Sequence, residues 1–166
     1  MTSFSLAPWS DQGLDLLHRQ NTAESTEHLG GPESADRLRR RHERYLALTD
    51  GRMFLIVLDG QVVGSIGYWT REWEGEQVYE TGYGILPEYR GRGLAVEALR
   101  LCAEQAGRQG SRRWLHAFPS VQHDASNAVC RKAGFELVGE CAFEYPPGNP
   151  IRSNNWRLGL TRPAAG

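Results

Sequence analysis

The stretch "ILPEYRGRGLAVEAL", Ile85–Leu99, decides how this chain is read. Its first residues close a strand-like run and its last residues open a helix-like one. Arg90, Gly91, Arg92 and Gly93 are packed into the joint. If the helix begins near Gly93, the loop amides point out of its N-terminus, where unpaired N–H groups and the helix dipole concentrate positive charge. Gly91 and Gly93 let the chain bend and let a ligand approach the backbone, while Arg90 and Arg92 add full charges. The corner therefore reads as a phosphate cradle. An anion there gains about 0.3–2 kcal/mol from the dipole, with more from charge-assisted hydrogen bonds. A nucleotide-hydrolysing P-loop would need Lys and then Ser or Thr, where Leu94 and Ala95 stand. A dinucleotide fingerprint would need a third glycine, where Val96 stands. The plain alternative is an ordinary glycine-rich surface turn.

Working outward, "QVYETGYGI" (Gln77–Ile85) is the strand that feeds the corner, and the helix runs from Gly93 to about Arg108 with Leu94, Ala98, Leu101 and Cys102 as its apolar stripe. Upstream, "FLIVL" (Phe54–Leu58), the turn Asp59–Gly60 and "QVVGSIGYW" (Gln61–Trp69) predict a hairpin. "EWEGE" predicts a polar turn after it. Phe4–Leu6 reads as a first strand. Asp11 reads as the cap of a helix to about Gln20, with Leu14 and Leu17 on its inner side, and a second helix spans Ser34 to about Leu48. Downstream come the strand "RRWLHAF", a short helix "DASNAVCRKAGF" begun by an Asp cap and ended by Gly134, the strand "FELVGECAFEY", the loop "PPGNPIRSNN" and the strand "WRLGL". This order predicts an α/β fold. About seven strands form one mixed, largely antiparallel sheet flanked by helices, with a right-handed parallel crossover through the Gly93 helix. Residues 161–166 are expected to fray.

The 166 residues suffice for one domain with a core, and 40% hydrophobic content argues for a folded globule. A net charge of -1 argues against a protein built to coat nucleic acid. Cys102, Cys130 and Cys141 are odd in number and form no CxxC pair, so neither a disulfide framework nor a metal site is expected, and a reducing, cytoplasmic setting fits. No segment reads as a signal peptide or a membrane span.

Two stretches together carry a family resemblance. "ILPEYRGRGLAVEAL" resembles the pyrophosphate loop of the GNAT superfamily of acyl-CoA-dependent N-acetyltransferases, with Arg90, Gly93 and Ala95 at its signature positions. "ASNAVCRKAGFELVGE", about 30 residues later, resembles the family's later helix and strand. The likeness runs from Phe54 onward and leans toward the branch of ribosomal-protein N-terminal acetyltransferases. It implies a single domain whose sheet splays open after Gln77–Ile85 to take acetyl-CoA. Residues 1–50 would supply acceptor-side helices and residues 85–135 the donor-binding core. The pyrophosphate would sit on Arg90, Gly91, Arg92, Gly93, Leu94 and Ala95, and the pantetheine would pair with backbone at Ile85 and Leu86. His123 stands where relatives often have Asn and would take over a cofactor contact or be a polar loop residue. Ser126 and Asn127 would bond the cofactor arm, or serve only as helix-start residues.

Amide formation needs a neutral amine, a stabilised oxyanion and a proton for the leaving thiolate. An alkyl ammonium has a pKa near 10.4, so a base is useful. Strand alternation puts Glu80, Gly82 and Gly84 on one face, leaving a carboxylate beside an empty groove. Glu80 is the candidate base, as a Glu on this strand often is in the family; a solvent-facing Glu is the alternative. A backbone N–H near Ile85 would hold the oxyanion. Many relatives carry Tyr on the later helix as acid. Counting back from Gly134 and Phe135, that position is Cys130, which would either donate the proton or be a small buried hydrophobe. A Cys130 beside the CoA sulfur predicts a mixed disulfide on oxidation.

The resemblance implies a primary-amine acceptor, on a protein N-terminus or a small molecule. Trp69 and Trp73 beside Glu72, Glu74 and Glu76 would suit a cation, or be core aromatics and a solvated turn. "FEYPPGNPIRSNNW" would lid the acceptor mouth. The basic run Arg37–Arg44 would meet RNA or an acidic peptide, or be a solvated helix face with Leu38 and Tyr45 inside. A non-catalytic acyl-CoA sensor is the second reading and an RNA-binding module the third, although the aromatics of common RNA-binding sheets are missing. A homodimer is compatible with the resemblance, but no sequence patch marks one.

Overall fold

Three strands joined by two tight turns build the centre of the sheet: β2 (Gly51–Leu58), β3 (Gln61–Trp73) and β4 (Glu76–Ile85). Both turns have two residues with positive φ, Asp59–Gly60 and Glu74–Gly75, as the right-handed twist of a hairpin favours. The second turn is tighter than "EWEGE" predicts. β3 runs on to Trp73, whose ring packs on Phe118 with centroids 4.6 Å apart. The computed structural model describes residues 2–145 and 147–160, so the expected frayed tail lies outside the described residues.

Around this centre lie β1 (Phe4–Pro8), α1 (Gln12–Gln20), α2 (Ala35–Leu46), α3 (Leu94–Gln109), β5 (Trp114–Ala117), α4 (Asp124–Lys132), β6 (Glu136–Glu144) and β7 (Pro150–Gly159). They form one seven-stranded sheet in the order β1-β2-β3-β4-β5-β7-β6. All neighbours are antiparallel except β4 and β5, which α3 connects as a parallel crossover. The fold class is the predicted one. β4 and β5 pair only at Tyr79↔Leu115 and Glu80↔His116. Beyond Glu80 the two strands diverge, and the sheet opens into a V.

Helices cover the two faces unequally. Behind the sheet, Ala98, Leu99, Cys102 and Ala106 of α3 bury against Phe54, Ile66, Tyr68, Tyr79 and Leu115. Leu99 rather than Leu101 completes this stripe, because positions 99, 102, 103 and 106 follow the helical repeat. In front, Leu16, Leu17 and Leu38 of α1 and α2 bury against Trp9, Met53 and Leu55 of the β1–β2 half. Leu16 replaces the expected Leu14. Asp11 makes no capping bond, whereas Ser34 caps α2 by accepting from the Arg37 N–H at 3.2 Å.

The structure bears on three further readings. The basic run is largely a solvated face, with Leu38 and His42 buried and Arg39 and Arg40 paired to Asp36. Arg41 departs from it: half-buried, it bonds Glu33 and donates to the Tyr145 hydroxyl at 3.0 Å. The segment expected to form a loop and lid is mostly strand, because β7 begins at Pro150 and pairs with β6 through Glu144↔Pro150. α4 has no Asp cap, since Asp124 is already its first helical residue and His123 stands at the cap. No helix among the described residues is long and apolar enough to cross a membrane.

Candidate active site

The site begins at the corner after β4. Gly91 and Gly93 adopt φ of 77° and 75°, the left-handed region that L side chains avoid. A Cβ on either would meet nothing within 4 Å, so the space before them is open. The first intrahelical bond of α3 runs from Glu97 N–H to the Gly93 carbonyl at 3.3 Å. The amides of Leu94, Ala95 and Val96 are therefore free of helical partners and face that space. The residues present fit a diphosphate.

The arginines at this corner already have partners. Arg90 donates to Glu24 Oε1 and Ser25 Oγ, both at 3.1 Å, and to the Ile85 carbonyl at 3.3 Å. Arg92 donates to the Glu88 carbonyl at 3.4 Å and sits 5.4 Å from the centre of the Tyr89 ring. The connection between α1 and α2 thus passes over the corner, closed on itself by reciprocal Asn21–Glu33 bonds at 2.8 Å. Its His28 ring stacks on His123 at 4.4 Å. Burial, and then the neighbouring His28, hold His123 below its ordinary pKa. The sequence did not reveal this overlap, because residues 22–31 carry no periodic pattern.

Inside the V, backbone alternation sorts Ile85 from Leu86. Leu86 donates its N–H to Val63 at 2.9 Å and accepts from Tyr89 N–H at 2.9 Å, so it is engaged by the fold rather than free for a cofactor arm. The Ile85 N–H then points the other way, into the V, while its C=O on that side already accepts from Arg90 Nε. Asn127 is likewise engaged by the fold. Its Nδ2 donates to the Ser120 and His123 carbonyls at 3.0 and 2.8 Å, and its Oδ1 accepts from Asn154 and from the Trp156 indole, both at 2.8 Å. Two of these bonds tie α4 to the segment before it and two tie it to β7, which leaves no free side-chain polar group for a ligand.

Cys130 is enclosed by the core. It is fully buried, and burial pushes its thiol up to about 11, which favours the small buried residue over the acid. Tyr83 reaches from β4 to α4 beside it, with its hydroxyl 3.7 Å from Cys130 Sγ and 2.9 Å from Ser126 Oγ. Burial raises the Tyr83 phenol well above its ordinary pKa.

Glu80 lies at the apex of the V on the front face. The strand parity holds, but the groove beside it is filled. A Cβ on Gly82 would meet the Trp69 ring at 3.0 Å and one on Gly84 would meet Gln20 at 3.2 Å. These glycines make room for side chains of the fold. Glu80 is 8% exposed, and Arg71 on β3 donates to its Oε1 at 2.9 Å. Burial raises the Glu80 pKa and the Arg71 charge opposes that rise, leaving it above the ordinary carboxylate value.

Sequence reading missed the neighbours of Glu80. Arg71 lies over Phe143 at 4.3 Å, Phe143 stacks on Phe118 at 4.7 Å, and Phe118 stacks on His116 at 5.6 Å. This column lines the front of β5, β6 and β7, which α1 and α2 leave largely uncovered. Trp73 belongs to it, while Glu72, Glu74 and Glu76 are exposed, so the aromatic–acidic segment is core packing plus a solvated turn. Among the described residues no cluster of three or more His, Cys, Asp or Glu side chains is placed to hold a metal ion.

Residues 4–136 match the family described as acetyltransferase (GNAT) domain. No curated protein matches the sequence. Solved structures share the fold. A RimL ribosomal L7/L12 α-N-protein acetyltransferase in complex with coenzyme A superposes with a TM-score of 0.79 at 21% identity, covering 95% of this chain and 94% of that one. The aminoglycoside acetyltransferase AAC(6')-Ib with coenzyme A gives 0.78 at 19% identity, covering 95% of each chain. An acetyltransferase from Salmonella typhimurium that modifies the N-terminal serine of L7/L12 gives 0.78 at 19%, again covering 95% of each.

Proposed function

Because the chain belongs to the acetyltransferase (GNAT) family, we propose that it transfers acetyl from acetyl-CoA to a primary amine on a protein N-terminus or a small molecule. The observation that supports this most is the V between β4 and β5, with free amides at its mouth and Glu80 at its apex. Five strand steps separate Glu80 from Ile85, roughly 17 Å, a span suited to an extended pantetheine arm. Structural neighbours that bind coenzyme A or acetyl-CoA and act on L7/L12 or aminoglycosides agree with this donor and acceptor class.

In this reading the donor diphosphate lies on the amides of Gly93, Leu94 and Ala95, with Arg90 and Arg92 beside it and His123 flanking. Residues 85–135 form the donor side and residues 1–50 border the acceptor. Glu80 accepts a proton from the incoming ammonium. The amine attacks the thioester carbonyl, a β4 backbone N–H beside Glu80 holds the oxyanion, and the Ile85 N–H pairs with the donor arm farther along the strand. The leaving thiolate has a pKa near 8.5 and takes its proton from water.

Thiol release measured over a panel of N-terminal peptides, polyamines and aminoglycosides tests the proposal. Release with at least one class supports it. Thermal stabilisation by acetyl-CoA without release from any amine would favour a non-catalytic acyl-CoA sensor; saturation at 100 times Kd raises stability by about 2.7 kcal/mol.

A further inference from the structure

Two protons must leave nitrogen in this reaction. The ammonium R–NH3+ loses one before attack, and the tetrahedral adduct loses a second as it collapses to the amide R–NH–CO–CH3. One proton ends on the departing thiolate and one in solvent, which balances R–NH3+ and acetyl-CoA against amide, CoA-SH and H+. Glu80 alone, with Oε1 held by Arg71, accounts for one acceptor.

The geometry points to His116 as the second proton acceptor of the acyl transfer, held for that task by Asn155; this rests on the acetyltransferase reading above. His116 is the β5 residue in register with Glu80, in the last pair before the strands part. Paired residues of neighbouring strands share a face. The contacts agree, since Arg71 touches Glu80 and lies over Phe118, on which the His116 ring stacks. His116 is 4% exposed, and its Nδ1 lies 2.7 Å from Asn155 Oδ1. A carbonyl oxygen can only accept, so Nδ1 carries the hydrogen and Nε2 carries the lone pair. Nε2 has no hydrogen-bond partner among the described residues. A buried imidazole clamped in its basic tautomer, one strand from the proposed base, has no structural bond left to make at Nε2.

Its electrostatic surroundings agree. Burial holds the ring below its ordinary pKa of 6.5, so it is neutral and basic at pH 7. Arg157 of β7 lowers it further, while the Asn155 bond, Glu76 of β4 and Glu74 of the β3–β4 turn raise it. Glu80 of β4 faces it across the apex. Asn155 acts through the ring and is a positioning residue.

The experiment is steady-state thiol release against pH for wild type, His116→Gln and Asn155→Asp, with thermal melting and acetyl-CoA affinity as controls. His116→Gln is expected to lower kcat/KM by about 10²-fold or more, with donor affinity unchanged and partial rescue by added imidazole. Asn155→Asp places a carboxylate on Nδ1 and raises the ring pKa, so the acid limb of the profile moves to higher pH. Proton-coupled nitrogen NMR of the His116 ring, which needs no turnover, is expected to show hydrogen on Nδ1. A His116→Gln enzyme within twofold of an active wild type, an unmoved limb in Asn155→Asp, or hydrogen on Nε2 would each overturn the assignment while leaving the acetyltransferase reading in place. A wild type inert toward every amine would overturn that reading and this assignment together.

Discussion

Replacing Asn127 by Ala separates a structural hub from a ligand contact. The side chain is 8% exposed and makes four hydrogen bonds. Two of its partners tolerate the loss. The Ser120 carbonyl still accepts from His123 N–H and the His123 carbonyl from the backbone N–H of residue 127, both at about 3.0–3.1 Å. The Trp156 indole does not, because that residue is 3% exposed and Oδ1 is its acceptor. One orphaned buried donor costs about 1–3 kcal/mol, and losing the Asn154 bond adds about 1 kcal/mol. A total of about 2–4 kcal/mol is a large part of the 5–15 kcal/mol typical of a domain. At about 2–4 °C per kcal/mol for this size, the melting temperature is expected to fall by about 4–16 °C. Calorimetry and urea titration measure the loss, and isothermal titration with acetyl-CoA well below the transition measures donor affinity. A melting temperature within about 1 °C of wild type, together with tenfold weaker donor binding, would place Asn127 in the cleft and refute the reasoning.

Glu80→Gln is expected to cut turnover by about 10²–10⁴-fold with donor affinity unchanged; lost donor binding would remove Glu80 from the base role. Burial raises the Glu80 pKa against the pull of Arg71, so the fold favours the protonated form. The stability tied to this group is therefore full below the ordinary carboxylate value and is lost as pH rises through the raised value. Activity, which needs the carboxylate, switches on over that same rise, and Arg71→Gln should move the limb to still higher pH in a pH–rate profile. Glu24→Ala removes a carboxylate that competes with the diphosphate for Arg90, so titration calorimetry should show acetyl-CoA binding a few-fold tighter; weaker binding would mean that the α1–α2 connection holds the donor. Diamide with CoA should leave no adduct on Cys130 in intact-mass spectra, because the thiol is buried and pushed up to about 11; an adduct would show that it opens to the cleft.

Local chemistry written along the chain determined much of this protein. Asp59–Gly60 set a hairpin, the glycines at 91 and 93 set the bend before α3, and alternation set Glu80 on the face opposite Tyr79. These features depend on neighbours a few residues away, so they are legible without the fold. The parallel β4–β5 crossover followed from chirality and element order. The tertiary structure alone decided what each side chain meets. It gave the space beside Gly82 and Gly84 to Trp69 and Gln20, closed Asn127 and Cys130 into the fold, and laid Glu24 on Arg90 from 66 residues away. It also put His116 across from Glu80 and Arg71 against both Glu80 and Phe118. Such pairings are set by strand register and by packing between distant segments, and no period or spacing in the sequence encodes the distance between them.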